Sequence, residues 1–467
     1  MLNQGHILTA SETQQAEQML IDQGTSVDLL MNRAGLGAAD LIWRAAPDWP
    51  TIVICGPGNN GGDGYVIAQS LRSKGAFVTV AASSEPTTEP ARNAKALWQG
   101  ETVSLADAEP AAQCIDCLFG TGLKRPLSGD LFTHFEHLLG RAKRRVAVDL
   151  PSGVDADSGE LLNRLLSYDM TIALGAYKPA HFLGPAHEII GILTGVDIGI
   201  DSVSTVSCLQ RPTIQLPKAT DHKYSRAMVG IVAGPMQGAA KMAALAAQLS
   251  GAGYVKIFAS DGFASPNQSI VTEHHTDFDQ LASNLSDPRL DIIVVGPGLG
   301  RNDQARRIFE FILGLDKPLL LDADALMLLG EAADKRLTQR NPPTLITPHY
   351  GEFKAMQGDA EGTKIDQTRS LATRCDAVVL HKGSDTVIAD PAGNVVLTPP
   401  ASSWLSTAGT GDVLAGMIAA RFAVERDGFL AMKQGQWLHS RAAKLSGPAF
   451  SPEILIDHIP KAIQECL

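Results

Sequence analysis

Residues 51–75 read TIVICGPGNNGGDGYVIAQSLRSKG. The apolar run Ile52 to Cys55 breaks into a stretch of glycine and asparagine, and a helical pattern resumes at Tyr65. An apolar run, a glycine turn and a helix form the opening of a βαβ unit. The same rhythm extends along the chain. Upstream, Thr9-Ala10-Ser11-Glu12 is a capping start for a helix that stops at Gly24. Downstream, strand-like runs fall at 77–82, 114–119, 145–150 and 170–175, with helix-length stretches between most of them. Parallel strands with crossover helices are predicted. Residues 207–225 (SCLQRPTIQLPKATDHKYS) carry two prolines, mixed charge and no helical period, as a junction would. Beyond it the runs restart at 227–234, 254–260, 290–296, 318–324, 343–348, 377–383 and 385–390, with an alanine-rich helix at 238–253. The expectation is an α/β protein with domains at 1–210 and 223–467 and a linker at 211–222.

At 467 residues the chain exceeds one ordinary domain. Hydrophobic residues at 45% and charged residues at 19% describe a globular chain with ample core. A formal charge of −11 argues against a nucleic-acid surface as the main role. The basic cluster Arg141-Ala142-Lys143-Arg144-Arg145 is read as a solvated helix end. The six cysteines are scattered, so no disulfide framework is expected. Cys114 and Cys117 spell C-x-x-C within a strand, where positions i and i+3 face opposite ways. They are therefore read as a buried structural pair rather than a redox or zinc site. No signal-peptide pattern and no apolar run of membrane-spanning length is present, so a cytoplasmic protein without a membrane partner is expected.

Ligands of open α/β sheets sit beyond the carboxyl ends of the strands, so the residues after each run carry the chemistry. Three such ends in the first half are Gly56–Gly64, Gly120–Pro126, and the segment DLPSGVDADSG with Asp149, Ser152 and Asp155. Glycine turns, cations and carboxylates on one rim point to a phosphate-bearing ligand. Gly56–Gly61 even spells G-x-G-x-x-G, with the glycines expected to permit positive φ. The Rossmann dinucleotide pattern fails in detail, however. Its ribose-holding acid should end the second strand, which here ends Ala81-Ala82-Ser83-Ser84. Asn59, Asn60 and Asp63 are foreign to that motif and offer hard oxygen donors, suited to an alkali or alkaline-earth cation as much as to hydrogen bonding.

The segments GPGNNGGDG, GTGLKRPLSG and VDLPSGVDADSGE, in this order and spacing, resemble the three signature segments of the NAD(P)H-hydrate epimerase domain. The resemblance implies that Asn59, Asn60, Gly61, Gly62 and Asp63 contact the hydrated nucleotide, together with Gly120, Thr121, Gly122, Leu123, Lys124, Arg125 and Pro126. It places Asp149 at the substrate and a K⁺ ion on Asn60, Asp116 and Ser152.

In the second half, Gly409-Thr410-Gly411-Asp412 precedes a strong helical pattern. Amides at a helix start bind a phosphoryl group, and a carboxylate beside them can accept a hydroxyl proton or simply cap the helix. With GPGLG, LLLDADAL, TPHYGEF, HKGSDT and AGTGDVLAG in order, this half resembles the ADP-dependent NAD(P)H-hydrate dehydratase branch of the ribokinase-like superfamily. That implies Ala239, Gly298, Gly300 and His349 facing the hydrated nucleotide. Lys382, Gly383, Ser384, Asp385 and Thr386 would hold ADP, with Gly411 beside its phosphate and Asp412 as base. Tyr224-Ser225-Arg226 departs from the charged, glycine-bearing turn of the family.

Together the resemblances imply an N-terminal Rossmann-like α/β sandwich and a C-terminal ribokinase-like α/β domain. They imply substrates NADHX and NADPHX, ADP as co-substrate with Mg²⁺, and a homo-oligomer. The same loops also permit an ATP-dependent small-molecule kinase carrying a non-catalytic N-terminal ligand-binding or interaction module. Outside these segments, His274-His275 is read as solvated in a polar loop, and His439 as a packing or surface residue of a helix.

Overall fold

The computed structural model describes residues 2–220, 222, 226–358 and 360–467. Tyr224 and Ser225 of the departing turn lie outside the described residues. The chain forms two compact units, Met1–Cys208 and Leu209–Leu467. Within the stretch expected as a linker, Ile214 is buried in the second unit's core and donates its N–H to Cys466 O at 2.9 Å.

The first unit carries β1 (Thr51–Cys55), β2 (Val78–Ala82), β3 (Glu101–Ser104), β4 (Gln113–Cys117), β5 (Arg144–Val148), β6 (Met170–Leu174), β7 (Ile192–Val196) and β8 (Val206–Cys208). β1 to β7 make a parallel sheet in the order β3-β2-β1-β4-β5-β6-β7. Strand order reverses between β1 and β4, whose last residues, Cys55 and Cys117, pair in register. Both faces are covered, as continuous apolar strands require. Val53, Ile115 and Cys117 pack on one face with Ile42 and Ile67 from the helices Val27–Ala45 and Asn59–Ser73. Ile52, Ile54 and Cys114 pack on the other with Phe135 and Leu138 from the helix Gly129–Arg141. Cys114 and Cys117 thus divide between opposite layers, and all six cysteines are buried free thiols.

In the second unit the strands are β9 (Met228–Val232), β10 (Tyr254–Ser260), β11 (Val271–His275), β12 (Ile292–Val295), β13 (Leu319–Leu321), β14 (Thr344–Ile346), β15 (Val378–His381), β16 (Val387–Ala389) and β17 (Val395–Leu397). They run β11-β10-β9-β12-β13-β14-β15-β16-β17, parallel up to β15 and antiparallel from there. The strand order reverses again, between β9 and β12.

Two helices over this sheet, Gln237–Leu249 and Thr410–Glu425, bury Ala240, Ala243, Ala244 and Ala247 against Leu414, Ala415 and Ile418. The approach is so close that a Cβ on Gly416 would stand 2.1 Å from Ala243 O. Among the described residues no helix is long and apolar enough to cross a membrane.

The structure revises several local expectations. The helix after β1 starts at Asn59, six residues before the apolar pattern of Tyr65 becomes visible. The glycines before and inside it keep negative φ; Gly56, Gly61, Gly62 and Gly64 are needed for missing Cβ atoms instead. β3, β7, β11 and β17 carried no run recognisable in sequence, because they are short or half-exposed strands. His274 and His275 belong to β11 rather than to a loop, and His275 is buried. The basic cluster also extends past the helix end: Arg144 and Arg145 open β5, with Arg144 Nη1 donating to Gln113 Oε1 at 3.0 Å.

Gly416→Ala is expected to destabilise the second unit by about 1–3 kcal/mol through overpacking of the two helices. Denaturant unfolding followed by circular dichroism checks this, and an unchanged midpoint would show that the helices can separate.

Candidate functional site

Each unit gathers polar groups at its own strand-order reversal. In the first, Gly56 lies so close to the loop after β4 that a Cβ would stand 1.8 Å from Leu118 O, and one on Gly61 would stand 1.9 Å from Gly56 O. This packing brings the N-terminus of the helix Asn59–Ser73 beside Gly120. Helix starts leave N–H groups unpaired and favour negative charge.

Asn60 is the informative residue there. Both its side-chain Oδ1 and Nδ2 are buried without a hydrogen-bond partner, a state native structures seldom leave unfilled. The position of a Gly120 Cβ would be 3.1 Å from Asp149 Oδ2 and 3.5 Å from Asn60 Cγ. Gly120, Asn60 and Asp149 therefore surround one small space that any other residue at 120 would fill.

Asp149 directly follows β5 with φ 66, a left-handed conformation uncommon outside glycine, though more open to Asp and Asn than to most residues. Its Oδ1 accepts from Lys178 Nζ at 2.5 Å, and its backbone O bonds His181 Nε2 at 2.8 Å. Burial pushes the carboxyls of Glu17 and Asp63 above the usual range, Asp63 strongly so, and the charge of Asp149 adds to both.

Asp116, fully buried on β4, accepts from Ser152 Oγ (2.6 Å), Ser152 N (2.8 Å), Leu118 N (3.1 Å) and Tyr168 Oη (2.6 Å). Burial raises its pKa while these bonds oppose the rise. Ser152 Oγ also meets Phe119 N at 2.8 Å and Phe119 O at 3.1 Å. Asp116 and Ser152 thus form one oxygen-rich knot beside Gly120. Lys124, in contrast, is paired with Asp155 (3.2 Å) and Asp157 (3.0 Å), while Arg125 and Pro126 are exposed. Leu123 is buried in the apolar layer with Leu118 and Leu127. Gly62 makes room for Met31, whose Sδ would lie 2.6 Å from a Cβ there.

In the second unit a cavity of ≈ 520 Å³ is lined by Ala239, Gly298, His349 and Asp412, with Arg301, Asp324 and Glu352. Gly298 has φ 65, and a Cβ on it would meet Met236 O at 2.5 Å. Gly300 donates its N–H to Asp324 Oδ2 at 2.8 Å, and Arg301 pairs with the other oxygen at 3.3 Å. His349 caps the helix Tyr350–Gln357 by accepting from Glu352 N at 3.1 Å.

Asp412 sits in the first turn of the helix Thr410–Glu425. Burial, reinforced by the negative charge of Asp322 and opposed by Lys382, pushes its pKa up to about 6. Lys382 Nζ donates to Asp322 Oδ1 at 2.7 Å and lies 3.7 Å from Glu352 Oε2. It also lies 3.7 Å from the position of a Gly411 Cβ. Burial works against its charge, but Asp322 and Glu352 outweigh that and hold its pKa above the usual range. The turn after Lys382 is closed by Thr386 Oγ1 donating to Gly383 O at 2.8 Å. Asp385 there accepts from Lys364 Nζ at 2.5 Å, and Ser384 is exposed at the tip. A carboxylate poised near neutrality beside a cation and helix-start amides is equipped to take a proton while a phosphoryl group is held.

Comparison with known proteins agrees with this division of labour. Residues 229–465 match the family described as NAD(P)H-hydrate dehydratase, and residues 27–180 match the YjeF-related protein N-terminus. The chain is 32% identical to the bifunctional NAD(P)H-hydrate repair enzyme Nnr of Salinibacter ruber, covering 98% of this chain and 96% of that protein. The chain belongs to the bifunctional NAD(P)H-hydrate repair enzymes. The protein of the same name from Escherichia coli is 30% identical over 91% of this chain and 87% of its own length. A ribokinase-like superfamily protein from Enterococcus faecalis, 21% identical, aligns with a TM-score of 0.51 over 57% of this chain and 98% of its own. It shares the fold of the second unit.

Against this family background, several residues at the two sites had no assigned part. Lys178 and His181 lie in the polar continuation of the run 170–175, and Tyr168 lies just ahead of it, where no motif marks them. Asp322 and Glu352 stood inside the quoted segments LLLDADAL and TPHYGEF, but nothing in their spacing said that both reach Lys382. His439 takes the packing alternative: it is buried, and its Nε2 meets Thr410 O at 3.0 Å.

Proposed function

We propose that this chain repairs hydrated NADH and NADPH in two steps, epimerising the R and S hydrates in the first unit and dehydrating the S form with ADP in the second. The observation that carries the reading is the cavity that joins Asp412 to Ala239, Gly298 and His349, with Lys382 beside Asp412. In the second unit Asp412 accepts the proton of the C6 hydroxyl, and the freed oxygen attacks the β-phosphorus of ADP, releasing AMP. Amides of Gly409 to Gly411 hold the phosphoryl oxygens. The C6–O bond then breaks with electrons from the ring nitrogen, phosphate leaves, and loss of a C5 proton restores the double bond. The segment Lys382 to Thr386 holds the adenine nucleotide, kept in shape by the Lys364–Asp385 pair. Mg²⁺ would be carried mainly on the nucleotide phosphates, as is usual for an ion that keeps several waters.

In the first unit Asp149 is the acid and base of the inversion at C6. Asn60, Asp116 and Ser152 suit K⁺: all are oxygen donors, and Asn60 Oδ1 is buried without a partner. Bound there, K⁺ would supply positive charge that orients the surrounding loops and the substrate's phosphates. A kinase with a passive N-terminal module is disfavoured by the presence of Asp116, Asp149 and Ser152 together, a set a scaffold would not need. Incubating the protein with mixed R and S hydrates, with and without ADP, tests the whole reading. AMP should form only when both hydrate and ADP are present, and R and S should interconvert without ADP. ATP consumed by a small alcohol instead would support the kinase.

Asp412→Asn is expected to reduce ADP-dependent dehydration to below about 1% while ADP affinity, measured by calorimetry, changes little. Because the base works ionised and its pKa lies at about 6, the rate should be full above neutrality and fall about tenfold per pH unit below 6. Asp322→Asn removes a neighbouring negative charge and should move that limb to lower pH. Asp149→Ala should leave the R hydrate untouched after the S hydrate is consumed, as read by chromatography.

A further inference from the structure

Asp149 is held at every atom but one. Its N–H donates to Ile172 O at 2.8 Å, and its carbonyl bonds His181 Nε2 at 2.8 Å. His181 Nδ1 accepts the Lys178 N–H at 2.9 Å, which places the ring proton on Nε2. Burial lowers the ring's pKa to about 4, so it stays neutral. Oδ1 takes Lys178 Nζ at 2.5 Å and Leu174 N at 3.3 Å. These bonds offset the strain of φ 66. Oδ2 alone is left over, turned to the space beside Gly120 and Asn60.

Lys178 is only 1% exposed, with a second bond from Nζ to Leu174 O at 2.8 Å. Its charge opposes the upward shifts of both Glu17 and Asp63, besides pairing with Asp149. A buried ion pair is a poor stability device, since an apolar pair of similar volume is often as stable or more so. Here the pair is fixed to a strained residue, at the strand end where the substrate is expected. Placement of that one carboxylate is what the arrangement secures.

We infer that Lys178 is a positioning residue for epimerisation, gripping Asp149 through Oδ1 so that Oδ2 faces the reacting C6 centre. The inference rests on the epimerase reading above.

Lys178→Met keeps the stem length and removes the charge. With the R hydrate as substrate and no ADP, kcat for appearance of the S form should fall about 100-fold with KM within about threefold, as expected for a displaced catalytic group. In Lys178→Ala, ethylammonium should occupy the vacated space and restore kcat at least about tenfold, but should do nothing for Asp149→Ala. Lys178→Gln, which keeps an N–H donor for Oδ1, should lose less than Lys178→Met. Thermal melting identifies which variants are folded, and any one folded variant decides. A kcat within threefold of wild type in Lys178→Met, an effect confined to KM, absence of amine rescue in folded Lys178→Ala, or Lys178→Gln losing as much as Lys178→Met would each overturn the assignment. If the wild-type protein fails to interconvert the hydrates, the epimerase reading itself fails; if wild type and Lys178→Met interconvert them equally, only the role of Lys178 does.

Discussion

Both sites depend on backbone meeting backbone across a reversal of strand order. In the first unit Gly56 lies against Leu118 O, and in the second Gly234 lies against Gly298 O, where a Cβ would be 2.2 Å away. A side chain at either glycine would separate two loops that must touch. Held together, each pair of loops brings a helix start and the polar residues of neighbouring strand ends to one point. In open α/β sheets that point is where ligands bind. The chemistry of each unit is thus a consequence of a steric allowance made several residues away from the reacting groups.

The two units solve the handling of buried charge differently. The first ties its buried lysine to one carboxylate, Asp149, and to the carbonyl of Leu174. The second shares Lys382 between Asp322 and Glu352, leaving Asp412 near enough to feel the cation but not bonded to it. On the epimerase reading proposed above, a fixed carboxylate suits an inversion in which the same group must give and take a proton. A carboxylate whose affinity for protons is raised by burial suits a base that acts near neutrality.

Much of this could be read from the chain. The βα rhythm gave the layered fold, and the strand-end rule led directly to Asn60, Asp149 and Asp412. What escaped has identifiable causes. β3 and β11 are half-exposed strands, so no apolar run marks them. The glycines 56, 61 and 62 looked like conformational devices, whereas they are places where another atom needs the volume of a side chain. The ion pairs Lys178–Asp149 and Lys382–Asp322 join residues 29 and 60 positions apart, and only the sheet order brings them together. Leu123 shows the converse: a motif position that serves the core beneath the loop.

The helix that carries Asp412 is fixed along its length. Gly416 admits Ala243 on one side, Gly435 admits Ile418 on another, and His439 holds the carbonyl of Thr410 at its start. Asp412 is therefore placed by buried packing, whereas the turns around His349 and Ser384 are held by hydrogen bonds near solvent. Affinity and turnover then become separable properties of the second unit. On the dehydratase reading proposed above, variation in those turns would change how tightly nucleotides are held, and for how long, while the geometry of proton removal stayed constant.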